Sequence, residues 1–177
     1  WGEDGEYDPA FKTIPQVSHV SVWNFYPDPD ATNMDDAQFV IERHKMSRSQ
    51  LRSLKKRPHF RAQVIEEAID AGENYNKKSW EDDLSDYATE NYIERYEVLE
   101  YWGNCDVAML LEQDIDIPKE LQKLDEIQVN VWICNGKLIR MVINPFKPAR
   151  IPYVAAPYEL NPYSFFGVVV AENMDDT

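Results

Sequence analysis

No run of about 18 apolar residues occurs in this 177-residue chain, so no segment is long enough to cross a bilayer as a helix. Glycine is scarce, at 6, and GxGxxG, GxxxxGK[ST] and GxSxG are all missing. Without those glycine turns there is no phosphate-cradling loop and no nucleophile elbow. The two cysteines, Cys105 and Cys134, fall in separate elements without CxxC spacing, and His19, His44 and His59 share no metal-ligand spacing. That pattern predicts buried reduced thiols rather than a disulfide or a zinc site. Positive charge is short as well: 18 Lys and Arg stand against 32 Asp and Glu, a formal net charge of -14. Phosphate contacts need lysine and arginine, so the chain as a whole does not clamp nucleic acid by simple attraction.

What is present is enough for a core. The chain is 44% hydrophobic and 12% aromatic, the composition of a globular domain. Its few cations are not scattered. Arg43, Lys45, Arg48, Arg52, Lys55, Lys56, Arg57 and Arg61 share one stretch, whereas the chain from Glu66 to Glu126 is dominated by carboxylates. A solvated helix face would account for the basic run. So would a surface that meets the unlike surface of a neighbouring subunit, which makes Arg43, Lys45, Arg48, Arg52, Lys55 and Lys56 the candidate subunit-contact residues.

Periodicity places the elements. The first dozen residues read as a loose terminus. Val17 to Phe25 alternates as a strand packed through Val20, Val22 and Phe25, and the loop YPDPDATNMDD follows. Gln38 to Met46 reads as a second strand, with Phe39, Ile41 and Arg43 on one side and Val40, Glu42 and His44 on the other. Ser47 then caps a helix, with Gln50 completing a capping box, Leu51 and Leu54 forming the apolar seam and Pro58 closing it. A second helix over Arg61 to Ala71 carries the stripe Val64, Ile65, Ala68 and Ile69, and Gly72 stops it. From Glu73 to Asn91 the expectation is loop with a short helix, anchored by Trp80, Leu84 and Tyr87. Tyr92 to Trp102 predicts a long strand, a turn at Gly103 and Asn104, and a continuation over Asp106 to Leu111. A short helix around Pro118 is expected to turn Leu121 and Leu124 inward. The sharpest local signal is Asn135 and Gly136 between Ile127 to Cys134 and Lys137 to Ile143, a type I′ hairpin. Prolines 145, 148, 152, 157 and 162 then hold the chain extended. Helices that arrive as a consecutive pair, and strands joined by a hairpin, predict an α+β fold with a mostly antiparallel sheet.

Two acidic clusters invite a chemical reading. Asp28, Asp30, Asn33, Asp35 and Asp36 offer oxygen ligands, but the pattern fails the EF-hand: Asn33 takes the place of its glycine and Phe39 that of its bidentate glutamate. An Asx-rich turn capped by its own side chains explains the cluster better. Glu81, Asp82, Asp83 and Asp86 sit on one short polar stretch, not on separated strands as two-metal chemistry requires. Trp23, Tyr26, Tyr96, Tyr101, Trp102 and Trp132 alternate with branched residues, as core aromatics do. The reading is therefore no enzyme, no cofactor and no metal. The alternatives are a metal-dependent phosphodiesterase built on Asp28, Asp30 and Asp35, and a generic protein-interaction module.

Two stretches resemble the portal, or head-to-tail connector, proteins of tailed double-stranded DNA bacteriophages. The first is VSVWNFYPDPDATNMDDAQFVIERHKMSRSQLRSLKK, from Val20 to Lys56; the second is IPYVAAPYELNPYSFFGVVVAENMDDT, from Ile151 to Thr177. Between them VNVWICNGKLIRMVINPF looks like the hairpin that precedes the second stretch in such proteins. The resemblance implies a fragment: residues 1–166 as a wing-like α+β domain and 167–177 as the start of a truncated stem-type helix. On that reading Val168, Val169 and Val170 face neighbours. The resemblance further implies a structural role in a portal ring, usually of twelve, at one capsid vertex, with host cytoplasm as the place of assembly. It implies other portal subunits, the major capsid or scaffolding protein, a terminase and a tail adaptor as partners. Double-stranded DNA would pass through the channel without sequence-specific binding.

Overall fold

The computed structural model describes residues 17–76, 81, 94–112, 115, 117–157 and 159–167. Among them five strands form one sheet in sequence order, β1 (Phe25–Pro27), β2 (Phe39–Met46), β3 (Tyr96–Asp106), β4 (Glu126–Cys134) and β5 (Lys137–Ile143). Every neighbouring pair is antiparallel, as the predicted α+β class requires. Among the described residues three short α-helices with defined bounds join them: α1 (Arg48–Ser53), α2 (Ala62–Asp70) and α3 (Val107–Glu112).

The sheet is covered on both faces because its central strands are apolar on both. The first face carries Tyr96, Val98, Trp132, Cys134 and Ile139, which pack against Leu51, Leu54, Ile65, Ala68 and Ile69 from α1 and α2. The second carries Ile127, Val129 and Val131 against Val107, Leu110 and Ile117. Two-sided burial explains why the β3 sequence is apolar at successive positions.

Local signals formed where they were expected. Ser47 Oγ accepts from the Gln50 amide at 3.3 Å while the Gln50 side chain accepts from the Ser47 amide at 2.8 Å, a complete capping box. α2 buries Ile65, Ala68 and Ile69, and Gly72 follows it with φ at 91°. Asn135 and Gly136 take φ of 51° and 68°, the positive pair of a type I′ turn.

The Asn135 side chain adds a tie that the hairpin signal does not contain. Its Nδ2 donates to the carbonyls of Ala68 at 2.7 Å and Gly72 at 2.8 Å, so the turn caps the C-terminal end of α2. Asn135→Gly keeps the turn geometry and removes the cap. The expected loss is about 1–2 kcal/mol by urea denaturation, because two partly buried carbonyls lose their donor.

Four expectations are corrected. Val17 to Phe25 is not a strand: Val17 is 99% exposed, Val22–Asn24 is a single 3-10 turn, and only Phe25–Pro27 pairs with the sheet. An edge strand tolerates Pro27, since its missing donor is not needed by a second neighbour. Gly103 and Asn104 make no turn; β3 runs through them to Asp106, paired with both β2 and β4. Residues 107–112 are helix, not strand, and Asp106 Oδ1 caps it by accepting from the Ala108 amide at 2.7 Å. Around Pro118 the chain makes a 3-10 turn at Leu121–Lys123, with Leu121 packed inward but Leu124 half exposed. Tyr92, Trp80, Leu84 and Tyr87 lie outside the described residues, as do Val168, Val169 and Val170.

The two cysteines are free, and they belong to opposite faces of the sheet: Cys105 is opposite Ile127 and Cys134 opposite Val98. That placement explains why they do not pair. Burial pushes the Cys134 thiol up to about 11 and raises that of Cys105.

Candidate subunit interface

The basic stretch begins on β2, and the alternation of the strand divides it. Arg43 and Lys45 point to the second face, where Glu97 is opposite Lys45 on β3. The Arg43 side chain is only 2% exposed. Its Nε donates to Glu97 at 2.6 Å, Nη1 to Glu81 at 3.3 Å and Nη2 to the Asn76 carbonyl at 2.8 Å, and its guanidinium lies 4.4 Å from the centre of the Tyr75 ring. Burial opposes the charge of Arg43, but Glu97, Tyr75 and Glu81 together outweigh that and raise its pKa. Tyr75 in turn is pushed up to about 12 by burial and by its hydrogen bond to Glu81. Arg43 is thus an internal clamp that ties the segment after α2 to the sheet, and it offers no surface to a neighbour. Nothing local signals this burial, because its hydrogen-bond partners are 33 to 54 residues away. Lys45 stays partly open, 4.5 Å from the Tyr75 ring centre and 3.4 Å from Glu81.

The other candidates surround α1 at the surface. Arg48 pairs with Glu94 at 2.9 Å, and Arg52 and Lys55 both reach Glu66 on α2, at 3.2 and 2.7 Å. Those contacts hold Glu66 below its ordinary carboxylate range, Lys55 first and Arg52 second. Arg48, Arg52 and Lys56, with Ser47, Ser49 and Ser53, line an open groove of about 710 Å³. Lys56 and Arg57 are exposed and have no ion-pair partner among the described residues. The structure therefore brings Arg48, Arg52, Lys55 and Lys56 together, leaves Lys45 on the opposite face, and takes Arg43 into the interior.

The Asp28 loop is a folded turn. Asp28 is buried, and its carboxylate accepts from the amides of Asp30 at 3.0 Å and Gln38 at 3.1 Å. Asn33 Oδ1 accepts from Asp35 and Asp36 amides at 2.8 and 3.1 Å. These are Asx caps, and they occupy the oxygens that a metal at Asp28 would use. Of the second acidic cluster only Glu81 is among the described residues, and it is occupied by Arg43 and Tyr75.

A polar network on the first face was not anticipated. Glu42 and Glu100 lie directly opposite each other on β2 and β3, an arrangement that repels unless something neutralises it. His44, stacked on Trp132 at 5.0 Å, sits 2.9 Å from Glu100 and 3.5 Å from Glu42. Trp102 Nε1 and Asn130 Nδ2 donate to Glu100 at 2.7 and 3.0 Å, and Tyr153 donates to Glu42 at 2.6 Å. Burial raises the Tyr153 pKa, so the phenol stays a donor. One donor atom from each of Glu42, His44 and Glu100 lies within 4.8 Å of the others, a geometry that would suit a cation, yet the Glu100 oxygens and one of Glu42 already accept internal hydrogen bonds. The network reads as a latch: it fastens the proline-rich segment to the sheet at Tyr153, which also packs on Phe25 at 5.2 Å. The alternation of Glu42 and His44 was visible in the sequence, but the register that sets Glu100 opposite was not.

Among the aromatics, Tyr96, Trp102 and Trp132 are buried as expected, whereas Trp23 and Tyr26 remain exposed at 55% and 42%. No helix among the described residues is long and apolar enough to cross a membrane.

The described residues thus present a surface cluster of cations around α1 and a sheet whose acidic groups near Asp28 and Glu100 are engaged internally. The model of the family described as phage SU10 portal protein matches residues 10–177, and the chain belongs to that family. It is thereby a bacteriophage structural protein of the capsid portal vertex. No curated protein matches the chain.

Proposed function

We propose that this chain forms the wing of a portal subunit, with residues 1–166 as the wing and 167–177 opening a stem-type helix. Subunits close into a ring, twelve in the full-length protein, at one vertex of the capsid. The ring is the conduit for DNA packaging and ejection and the seat of the head-tail connection. Its partners are its own copies, the major capsid or scaffolding protein, the terminase and the tail adaptor, and assembly takes place in the host cytoplasm. The observation that carries this reading is the family match running from residue 10 to residue 177, through both stretches of resemblance and the hairpin between them. The net charge of -14 supports the conduit role, because a channel wall that attracted phosphate would hold DNA instead of letting it slide.

The phosphodiesterase alternative draws no support from Asp28, whose carboxylate holds its own loop. Electron microscopy of the full-length subunit tests the main reading. Wild-type protein is expected to form closed rings. R48E/R52E/K55E is expected to lower the ring fraction about tenfold while the thermal midpoint moves by only a few degrees, since the exposed pairs with Glu94 and Glu66 add little to folding. Rings at wild-type yield in that variant would remove this cluster from the interface, and a wild-type protein that never closes a ring would remove the ring and conduit role.

A further inference from the structure

Two carboxylates on the first face of the sheet lack a permanent counter-charge. Glu42 and Glu100 are directly opposite on β2 and β3, and the same row continues through Trp132 to Arg140 on β5. The Arg140 guanidinium donates to Asn130 Oδ1 and makes no ion pair with either carboxylate among the described residues. That leaves His44, and an uncharged imidazole has a single N–H to give. Its Nε2 is 2.9 Å from Glu100 Oε2, whereas its Nδ1 stands 3.5 Å from Glu42 Oε1, too far for a good hydrogen bond.

The surroundings hold three ligand atoms around one point. Each carboxylate has one oxygen tied down by uncharged donors. Glu100 Oε1 accepts from Trp102 Nε1 and Asn130 Nδ2, and Glu42 Oε2 accepts from the Tyr153 hydroxyl. The other two oxygens, Glu100 Oε2 and Glu42 Oε1, are the ones nearest His44. The imidazole lies nearly parallel to Trp132, at 7°, which fixes its edge toward both. One ligand atom from each of the three residues thus lies within 4.8 Å of the other two. Donors that orient ligands without ligating are the usual outer shell of a metal site. His44 also lines an open cleft of about 320 Å³ with Gln50, Ser53 and Arg57, which gives an ion a path from solvent.

We propose that Glu42, His44 and Glu100 form a site for one divalent transition-metal ion, with Zn²⁺ the best match. One imidazole and two carboxylates suit a borderline cation, and three protein ligands leave a position for water. Mg²⁺ and Ca²⁺ favour all-oxygen shells and fit the set less well. Binding gives up the hydrogen bond between His44 and Glu100 and no other bond in the network, and the charge of the ion offsets both carboxylates. The site does not depend on ring closure. Its effect is local: Tyr153 donates to Glu42, so an ion that holds Glu42 to His44 and Glu100 fastens the proline-rich segment more firmly to the sheet.

Isothermal titration of the chelator-treated full-length subunit with Zn²⁺ tests the site. Wild type is expected to take up one ion per subunit, and hydrogen exchange at residues 151–157 is expected to slow as it binds. His44→Phe keeps the stack on Trp132, and Glu100→Gln keeps an acceptor for Trp102. Each removes a ligand and is expected to lower affinity by more than about a hundredfold, whereas Trp102→Phe removes only an outer donor and is expected to lower it about tenfold. Circular dichroism checks that each variant is folded, and the wild-type titration decides the matter even if one is not. No uptake by wild type overturns the site and leaves a latch held by hydrogen bonds alone. Uptake undiminished in both ligand variants overturns it too, and places the ion on the exposed His19 or His59. So does Mg²⁺ binding as tightly as Zn²⁺, since the imidazole would then play no part. Ring formation by wild type is unaffected by any of these results.

Discussion

Gly103→Val unfolds this domain or lowers its stability by about 3 kcal/mol or more, the upper part of the range for overpacked interiors. A Cβ placed at Gly103 would lie 2.5 Å from the Phe39 Cβ, 2.7 Å from the Tyr101 hydroxyl and 2.9 Å from the Gln38 carbonyl oxygen. Two of those three obstacles are backbone or fixed to it, so a side-chain rotation cannot clear them. Gly103 is paired on both sides, with Phe39 and with Val129, and the strand cannot bow outward without giving up one ladder. Gly103→Ala makes the same collision with a smaller group and should rank between wild type and valine. Chemical denaturation of the three proteins measures the order, and an alanine variant as stable as wild type would show that β2 can yield at Phe39.

Arg43→Ala is expected to cost about 3–5 kcal/mol, the usual consequence of removing one partner of a buried ion pair. The loss is not that of one contact. Glu97 loses its cation, Glu81 keeps only Lys45, the Asn76 carbonyl loses its donor, and the Tyr75 ring loses the guanidinium above it. Arg43→Lys keeps a charge but not the planar fork that reaches three acceptors at once, so it should recover only part of the loss. Because Arg43 ties the segment after α2 to the sheet, hydrogen exchange at residues 73–76 should rise more than exchange in β4. Equal protection loss everywhere would mean that Arg43 supports global stability and no particular segment.

These two residues show how far sequence reasoning reaches. Gly103 read as a turn because glycine and asparagine together are a turn signal, and nothing local reveals that Phe39 closes over it from another strand. Arg43 read as part of a basic surface because its neighbours in sequence are basic. In a strand, however, alternate residues face opposite ways, and Arg43 and Lys45 are separated from α1 by the sheet itself. The same limit hid the latch. Glu42 and His44 were placed on one side of their strand, but Glu100 arrives from 58 residues later and Tyr153 from 111. The basic run was legible as like charge in the sequence, but not that Arg48, Arg52 and Lys55 are matched by Glu94 and Glu66 from other segments.

The sequence by itself determined the local choices: the capping box at Ser47, the stripe of α2 and its stop at Gly72, the Asn135–Gly136 hairpin, the α+β class and, through two stretches and a hairpin, the family. Each of those depends on neighbours within a few residues, whose spacing dictates helix, strand or turn. Only the tertiary structure decided which glycine is wedged between strands, which arginine is buried and which carboxylates are latched. Those outcomes depend on strand register and on which face each segment covers, and both are settled when segments far apart in the chain pack against one another.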